Sequence, residues 1–198
     1  MGVVERRERE RGETVQRILD AAREIGAREG YASITMRGIA DRAEYTAAAL
    51  YRHYRDKDAI LRALAAAERS ALAREMRAQS QIGEPLERLR RGARAYADFG
   101  LADADRYRLI FSVGEDEAGE EIYGFFRDAV AQGMSALRFR PELTDVDLIA
   151  QTVWGGVHGI VMLHAAPPIA ARIPWRPPRL PAGLMVDTLV RGLARGRA

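Results

Sequence analysis

The stretch from Thr35 to Leu61 reads TMRGIADRAEYTAAALYRHYRDKDAIL, and its pattern decides the fold. Apolar Ile39, Ala40, Ala43 and Leu50 recur at helical spacing, and nothing here alternates at the period of a strand. Thr35 is placed to cap a helix over Met36 to Ala43. Thr46 is placed to cap another through Tyr54, because a hydroxyl there accepts from the orphan N–H groups of a first turn. Glu44 and Tyr45 form the break between them, and Ala40 is small enough for the two helices to cross closely. Two short helices joined by a tight turn, the second opening on a small capping residue, describe a helix-turn-helix.

Five bases lie in this stretch, Arg37, Arg42, Arg52, Arg55 and Lys57, against Asp41, Glu44 and Asp56 up to that lysine. Among them stand Thr46, Tyr51, His53 and Tyr54, each able to donate a hydrogen bond to phosphate. Phosphate contacts position a DNA-binding module, and base-edge contacts give it specificity. The same pattern also describes a charged, solvated helix pair in an all-α protein, with Tyr54 a core aromatic and His53 a plain surface histidine.

Outward from this stretch the 3.6-residue period continues. Val15, Ile18, Leu19, Ala22 and Ile25 predict a helix from Glu13 to the stop at Gly30. Asp56 can cap a longer helix carrying Ile60, Leu61, Leu64, Ala71, Leu72 and Met76. Further helices are expected over Pro85–Leu101, Asp103–Ser112, Glu117–Phe139, Asp145–His164 and Ala182–Arg195. The fold class is therefore all-α, with about nine helices. Six of the eight prolines fall between Pro167 and Pro181, a segment expected to be extended rather than helical. At the start, Arg6, Arg7, Arg9 and Arg11 alternate with Glu5, Glu8, Glu10 and Glu13, which predicts a frayed tail or an extension of the first helix rather than a minor-groove arm.

Composition narrows the function. The 198 residues carry 31 bases and 28 acids, a net charge of +3, and Lys57 is the only lysine. So small a net charge does not by itself point to nucleic acid. There is no cysteine, which excludes disulfides, thiolate metal sites and a cysteine nucleophile. The three histidines, His53, His158 and His164, lack metal-ligand spacing. No carboxylate pair sits in an acid/base motif and no glycine-rich loop follows a strand, so no metal, cofactor or enzymatic activity is expected. Met1 to Gly12 lacks the apolar core of a secretory signal. The most apolar run, Val153 to Ala166, is 14 residues long with two histidines and three glycines, too short and polar to span a bilayer.

The run Ile39-Ala-Asp-Arg-Ala43, followed by Tyr45 to Leu61, resembles the DNA-binding signature of TetR-type (tetracycline-repressor-like) bacterial transcription regulators. The family's L-Y-x-H-F-x-x-K segment reads here Leu50-Tyr-Arg-His-Tyr-Arg-Asp-Lys57, with tyrosine for phenylalanine. The likeness is strong from about Thr14 to Leu64. It implies a helix-turn-helix DNA-binding domain at 13–57 after a flexible tail at 1–12, and a helical ligand-binding and dimerisation domain at 58–198. By the same resemblance Thr35, Tyr51, His53 and Lys57 hold the DNA backbone. Arg52 lies in the same segment, and Tyr45, Thr46, Ala47 and Ala49 open the recognition helix. Two departures stand out. Glu44 fills a turn position usually held by glycine, and alanines open the recognition helix where longer polar residues are common. Alanine can only touch a thymine methyl, so base readout falls to Arg37, Tyr45 and Thr46, with Arg37 the candidate for a guanine.

In the remainder, the Trp154-Gly-Gly-Val-His158-Gly159 run resembles a helix of the family's C-terminal domains. The expected effector lining is Tyr96, Phe99, Tyr107 and Phe111 with Phe125, Phe126, Trp154 and His158. An aromatic lining with hydroxyl and imidazole donors suits a largely apolar, neutral or weakly acidic small molecule, the nearby charges facing outward. His158 fits a satisfied core histidine as well as a ligand contact. Gly155, Gly156 and Gly159, with Leu184, Leu189 and Leu193, are expected at a dimer interface. The resemblance thus implies a cytoplasmic homodimer that represses from a near-palindromic operator and is released by a small effector. An effector-independent or architectural DNA-binding protein, or an activator, is the alternative.

Overall fold

The computed structural model describes residues 2–114, 117–165 and 174–196. Among these residues nine α-helices follow one another: α1 (Val3–Glu29), α2 (Met36–Ala43), α3 (Ala47–Tyr51), α4 (Lys57–Gln79), α5 (Pro85–Ala102), α6 (Ala104–Ser112), α7 (Glu117–Ser135), α8 (Val146–Ala165) and α9 (Arg179–Leu193). A single 3-10 turn, Tyr31–Ser33, joins α1 to α2. The only β pairing among the described residues is one isolated bridge, Phe139 to Ala194.

The chain divides into two compact units, Met1–Ala67 with Leu109–Gly114, and Glu68–Arg108 with Glu115–Ala198. The first closes at Ala67 rather than at the expected edge of 57/58, because Ile60, Leu64 and Ala65 on α4 are buried in its core. That core also takes Ile18 and Ala22 of α1, Ile34, Ile39 of α2, Leu50 of α3 and Leu109. Each large apolar side chain so withdrawn from water contributes on the order of 1.5–3 kcal/mol.

The caps explain where the helices start. Thr35 accepts from the Gly38 N–H at 3.0 Å and Thr46 from the Ala49 N–H at 3.2 Å. Asp56 does the same for Ala59 at 2.7 Å, Asp103 for Arg106 at 2.9 Å and Asp145 for Leu148 at 3.0 Å. Four expectations need correction. Residues 3–12, expected as a flexible tail, form the first turns of α1, since alternating Arg and Glu are good helix formers and Glu5 accepts from the Gly2 N–H. Helix α3 stops at Tyr51, not Tyr54, as the His53 and Tyr54 N–H groups both turn back to the Leu50 carbonyl. Helix α7 stops at Ser135, not Phe139, where the chain turns through Leu137 at φ 54°. Helix α9 begins at Arg179, so Pro181 lies inside its first turn, where a missing N–H costs no hydrogen bond. Most of the expected proline-rich segment, 166–173, lies outside the described residues.

In the second unit α5 packs against α7, α8 and α9, and α8 packs against α7 and α9. Glycines set the closest approaches. The Phe125 ring of α7 lies over Gly92, and Val161 of α8 and the Tyr107 ring lie over Gly100. Beyond α7, Arg140 donates to the Leu193 carbonyl at 3.0 Å and Arg195 to the Arg138 carbonyl at 2.7 Å, tying the end of α9 to the chain that follows α7. Helix α8 is longer than the apolar run within it and is long and apolar enough, by length and composition alone, to cross a membrane. Its Val153, Val157 and Val161 are buried among its neighbours.

Candidate nucleic-acid interface and effector pocket

Helices α2 and α3 pack on each other, with Ile39, Ala40 and Leu50 turned inward. The turn between them depends on Glu44, which adopts the left-handed conformation at φ 58°, ψ 40°, while its N–H points back to α2. The Tyr45 N–H then donates to the Ala40 carbonyl at 2.9 Å, and the Tyr45 hydroxyl reaches the Thr14 hydroxyl of α1 at 3.5 Å. This turn delivers Thr46 and Ala47 exposed at the start of α3. Ala48, absent from the expected set, is equally exposed, whereas Ala49 is half-buried.

The five bases of this region divide into two groups. Arg42 is held by Glu24 of α1, and Arg55 pairs with Asp56 at 2.9 Å. Arg37 and Arg52, both exposed, and half-buried Lys57 form no ion pair with any described residue. Tyr51 is exposed beside them. His53 is half-buried, and its Nδ1 finds no hydrogen-bond partner among the described residues. Tyr54 packs against the core, and burial raises its phenol pKa. Asp56 is held below the usual carboxylate range chiefly by the Ala59 N–H it caps, with Arg55 and Arg62 adding to the effect.

In the second unit the expected aromatic lining separates into three parts. Tyr96, Tyr107 and His158 converge on one another. Tyr107 donates to the Tyr96 hydroxyl at 2.8 Å, and the phenol oxygens of Tyr107 and Tyr96 lie 2.7 and 2.9 Å from His158 Nδ1. Burial pushes both phenols well above their ordinary pKa, so they keep their protons, and it lowers that of His158. Phe126 packs edge-on against Tyr96, Phe125 against Phe126, and Trp154 against Tyr123. Residues 109–114, Phe111 among them, group with the first unit. Nothing in their helical periodicity signals that division.

Phe99 belongs to a third place. An open cavity of about 680 Å³ runs between α4 and α5, lined by Ala71, Ala95, Phe99 and Ala102. Arg91, Arg94 and Arg106 stand at it with Glu75 and Asp98. Its charged lining is unlike the aromatic one expected for an effector site. The Arg106 guanidinium lies 4.0 Å over the Phe99 ring and donates to the Phe99 carbonyl at 3.2 Å. Arg94 Nη2 donates to both carboxylate oxygens of Asp187 of α9, each at 2.8 Å. Sequence reading missed the place because its lining residues recur on two helices that only the fold brings face to face.

The six residues expected at a dimer interface also separate. Gly156 faces inward, and a Cβ there would meet Leu189 and Met185 of α9 at 3.1 and 3.2 Å. Leu189 thus packs within the protomer, and Leu193 is half-buried. Gly155 and Gly159 face open space. They share a stripe of α8 with Leu148, Thr152 and Leu163, at successive steps of four, three, four and four residues. Leu148 is 62% exposed and Leu163 51%, and on α9 Leu184 is 70% exposed.

Residues 18–64 match the family of bacterial regulatory proteins called tetR, and residues 89–188 match the tetracyclin repressor-like C-terminal domain. No curated protein sequence matches the chain. Several solved structures share its fold. A protein of unknown function from Rhodococcus sp. RHA1 is 24% identical, with a TM-score of 0.78 over 92% of this chain and 96% of that one. The transcriptional regulator FadR from Bacillus subtilis, solved with stearoyl-CoA, is 18% identical at a TM-score of 0.69, covering 90% and 98%. The TetR family transcriptional regulator PfmR from Thermus thermophilus is 22% identical at 0.64, covering 91% and 97%.

Proposed function

The chain belongs to the tetR family of bacterial DNA-binding regulators, and from that premise we propose that it is a homodimeric, cytoplasmic repressor released from its operator by a small effector. The observation that carries the DNA contact is the division of bases around the helix-turn-helix. Arg37, Arg52 and Lys57 carry charge that no carboxylate of the described residues neutralises. In this reading Lys57, Arg52, Tyr51, His53 and Thr35 hold phosphates, while Arg37, Tyr45, Thr46 and the α3 alanines meet base edges. Two heads bind half-sites one helical turn apart, roughly 34–36 Å, so the operator is a near-palindrome. Fragments selected from genomic DNA supply the operator for the test. Lys57→Ala should then weaken operator and random DNA alike and reduce the salt slope by about one ion, while Arg37→Ala loses about 1–3 kcal/mol of discrimination at one base position. Equal losses on every sequence for both variants would make Arg37 one more backbone contact.

For the effector we propose an amphiphile with an apolar body and an acidic group, taken up in the cavity between α4 and α5. Phe99 with the alanines offers the apolar wall, and Arg91, Arg94 and Arg106, which now meet Glu87, Asp187 and Glu68, would exchange those partners for the acidic group. The stearoyl-CoA bound by Bacillus subtilis FadR, a protein of the same fold, is a ligand of that chemical kind. Such a ligand shifts the population only in so far as it binds the DNA-released state more tightly. Long-chain acids and their thioesters should release DNA where the matching neutral alcohols do not, and Phe99→Ala should weaken that response. Release by neutral compounds that ignores Phe99→Ala would move the effector to another place.

A further inference from the structure

We propose that Arg7 and Arg11 form a second phosphate-binding stripe, extending the nucleic-acid interface along α1 beyond the helix-turn-helix. Residues 7, 11, 14, 18, 22 and 25 follow one another at steps of four and three, so they share one face of α1. The later part of that face is fixed by packing. Ile18 and Ala22 are fully buried in the core of the first unit. Thr14, one turn earlier, meets the hydroxyl of Tyr45, the residue that leads into α3. The stripe therefore emerges from the core beside the start of the recognition helix, and its next two turns carry Arg11 and Arg7. At a rise of 1.5 Å per residue these stand roughly 5 and 10 Å beyond Thr14.

Four arginines and four glutamates alternate over residues 5–13, so the extension has no net charge and its residues differ in their pairing. Arg6 pairs with Glu10 at 3.6 Å, and Glu5 is occupied by the Gly2 N–H at 2.9 Å. Arg7 and Arg11 are exposed and form no ion pair with any described residue. Arg9 projects from the opposite side of the helix. Two bare guanidiniums one turn apart, on the face that adjoins the α3 entry, offer bidentate donors to consecutive backbone phosphates. No base edge is involved, so the contribution is to affinity and register rather than to sequence choice.

This inference rests on the DNA-binding reading, and the assay separates the two. The probe is a mixed-sequence duplex, with affinity measured against salt concentration for the full chain. Arg7→Gln with Arg11→Gln should lower the slope of log affinity against log salt by about 0.9 per arginine, about two for each DNA-bound head. Arg7→Lys with Arg11→Lys should restore most of it, and Arg6→Gln should leave the slope unchanged. Circular dichroism of each variant checks that α1 keeps its helix. A duplex-binding parent whose slope is the same in the double glutamine variant overturns this proposal alone. A parent that binds no duplex at any salt concentration sinks the DNA-binding reading itself. A slope lost equally in the lysine pair would show that the bidentate fork, not charge, makes the contact.

Discussion

At the scale of single residues, Glu44 bears the strain of the helix-turn-helix. A side chain at φ 58° costs about 1 kcal/mol, which glycine would avoid. Glu44→Gly is therefore expected to raise the stability of the first unit by up to about 1 kcal/mol, measured by denaturant unfolding. His158 predicts a pH dependence. Burial depresses its pKa below the ordinary value near 6.5, so the unfolded chain binds the proton first as pH falls. Stability is then full above about pH 6.5 and declines through the window below it, and His158→Gln should flatten that decline. A decline identical in the variant would assign it to other groups. Single residues were legible in the sequence where their chemistry is local. Thr35, Thr46 and Asp56 cap where their positions say they should. Contacts between distant residues were not. No local signal joins Arg42 to Glu24, or Tyr96 to His158, because only tertiary packing brings them together.

Among the elements, α5 depends on two bare backbone positions, Gly92 and Gly100. A Cβ at Gly100 would lie 2.5 Å from Val161 and 2.7 Å from the Tyr107 ring. Gly100→Ala should cost about 1–3 kcal/mol of stability, through forced separation of α5 and α8. Gly124→Ala is the control, since nothing lies within 4 Å of its added methyl. Helix starts are legible from their capping residues. The errors lie where the signal is weak. Gly30 stops α1 where the sequence says it should, whereas α3 and α7 end without a glycine and fall short of their expected ends. Residues 5–11 carry no apolar periodicity, which is why the sequence allowed either a frayed tail or an extension of α1 there.

At the scale of the whole molecule, the α8 stripe of Leu148, Thr152, Gly155, Gly159 and Leu163 sets two exposed leucines about two glycines that face open space. Because Gly159 faces open space, Gly159→Leu should leave each protomer folded. If a second copy seats on that stripe, the same change should give a monomer by light scattering, with operator affinity falling to that of a single head. A dimer of normal affinity would take the interface elsewhere. The all-α class and the number of helices were legible from the 3.6-residue period alone. The cavity between α4 and α5 was not, since it belongs to neither helix separately.

The backbone seam between Arg138–Arg140 and Leu193–Arg195 has a consequence for deuterium exchange. Terminal amides outside a helix ordinarily exchange within the fraying limit, at almost no opening cost. Here the Arg195 amide is donated to the Arg138 carbonyl and that of Arg140 to the Leu193 carbonyl. Both should label together, at the rate at which the second unit opens, and far later than Gly196 next to them. Any ligand that tightens this unit should slow the pair in step, which makes these two amides a readout of its cohesion that needs no introduced probe.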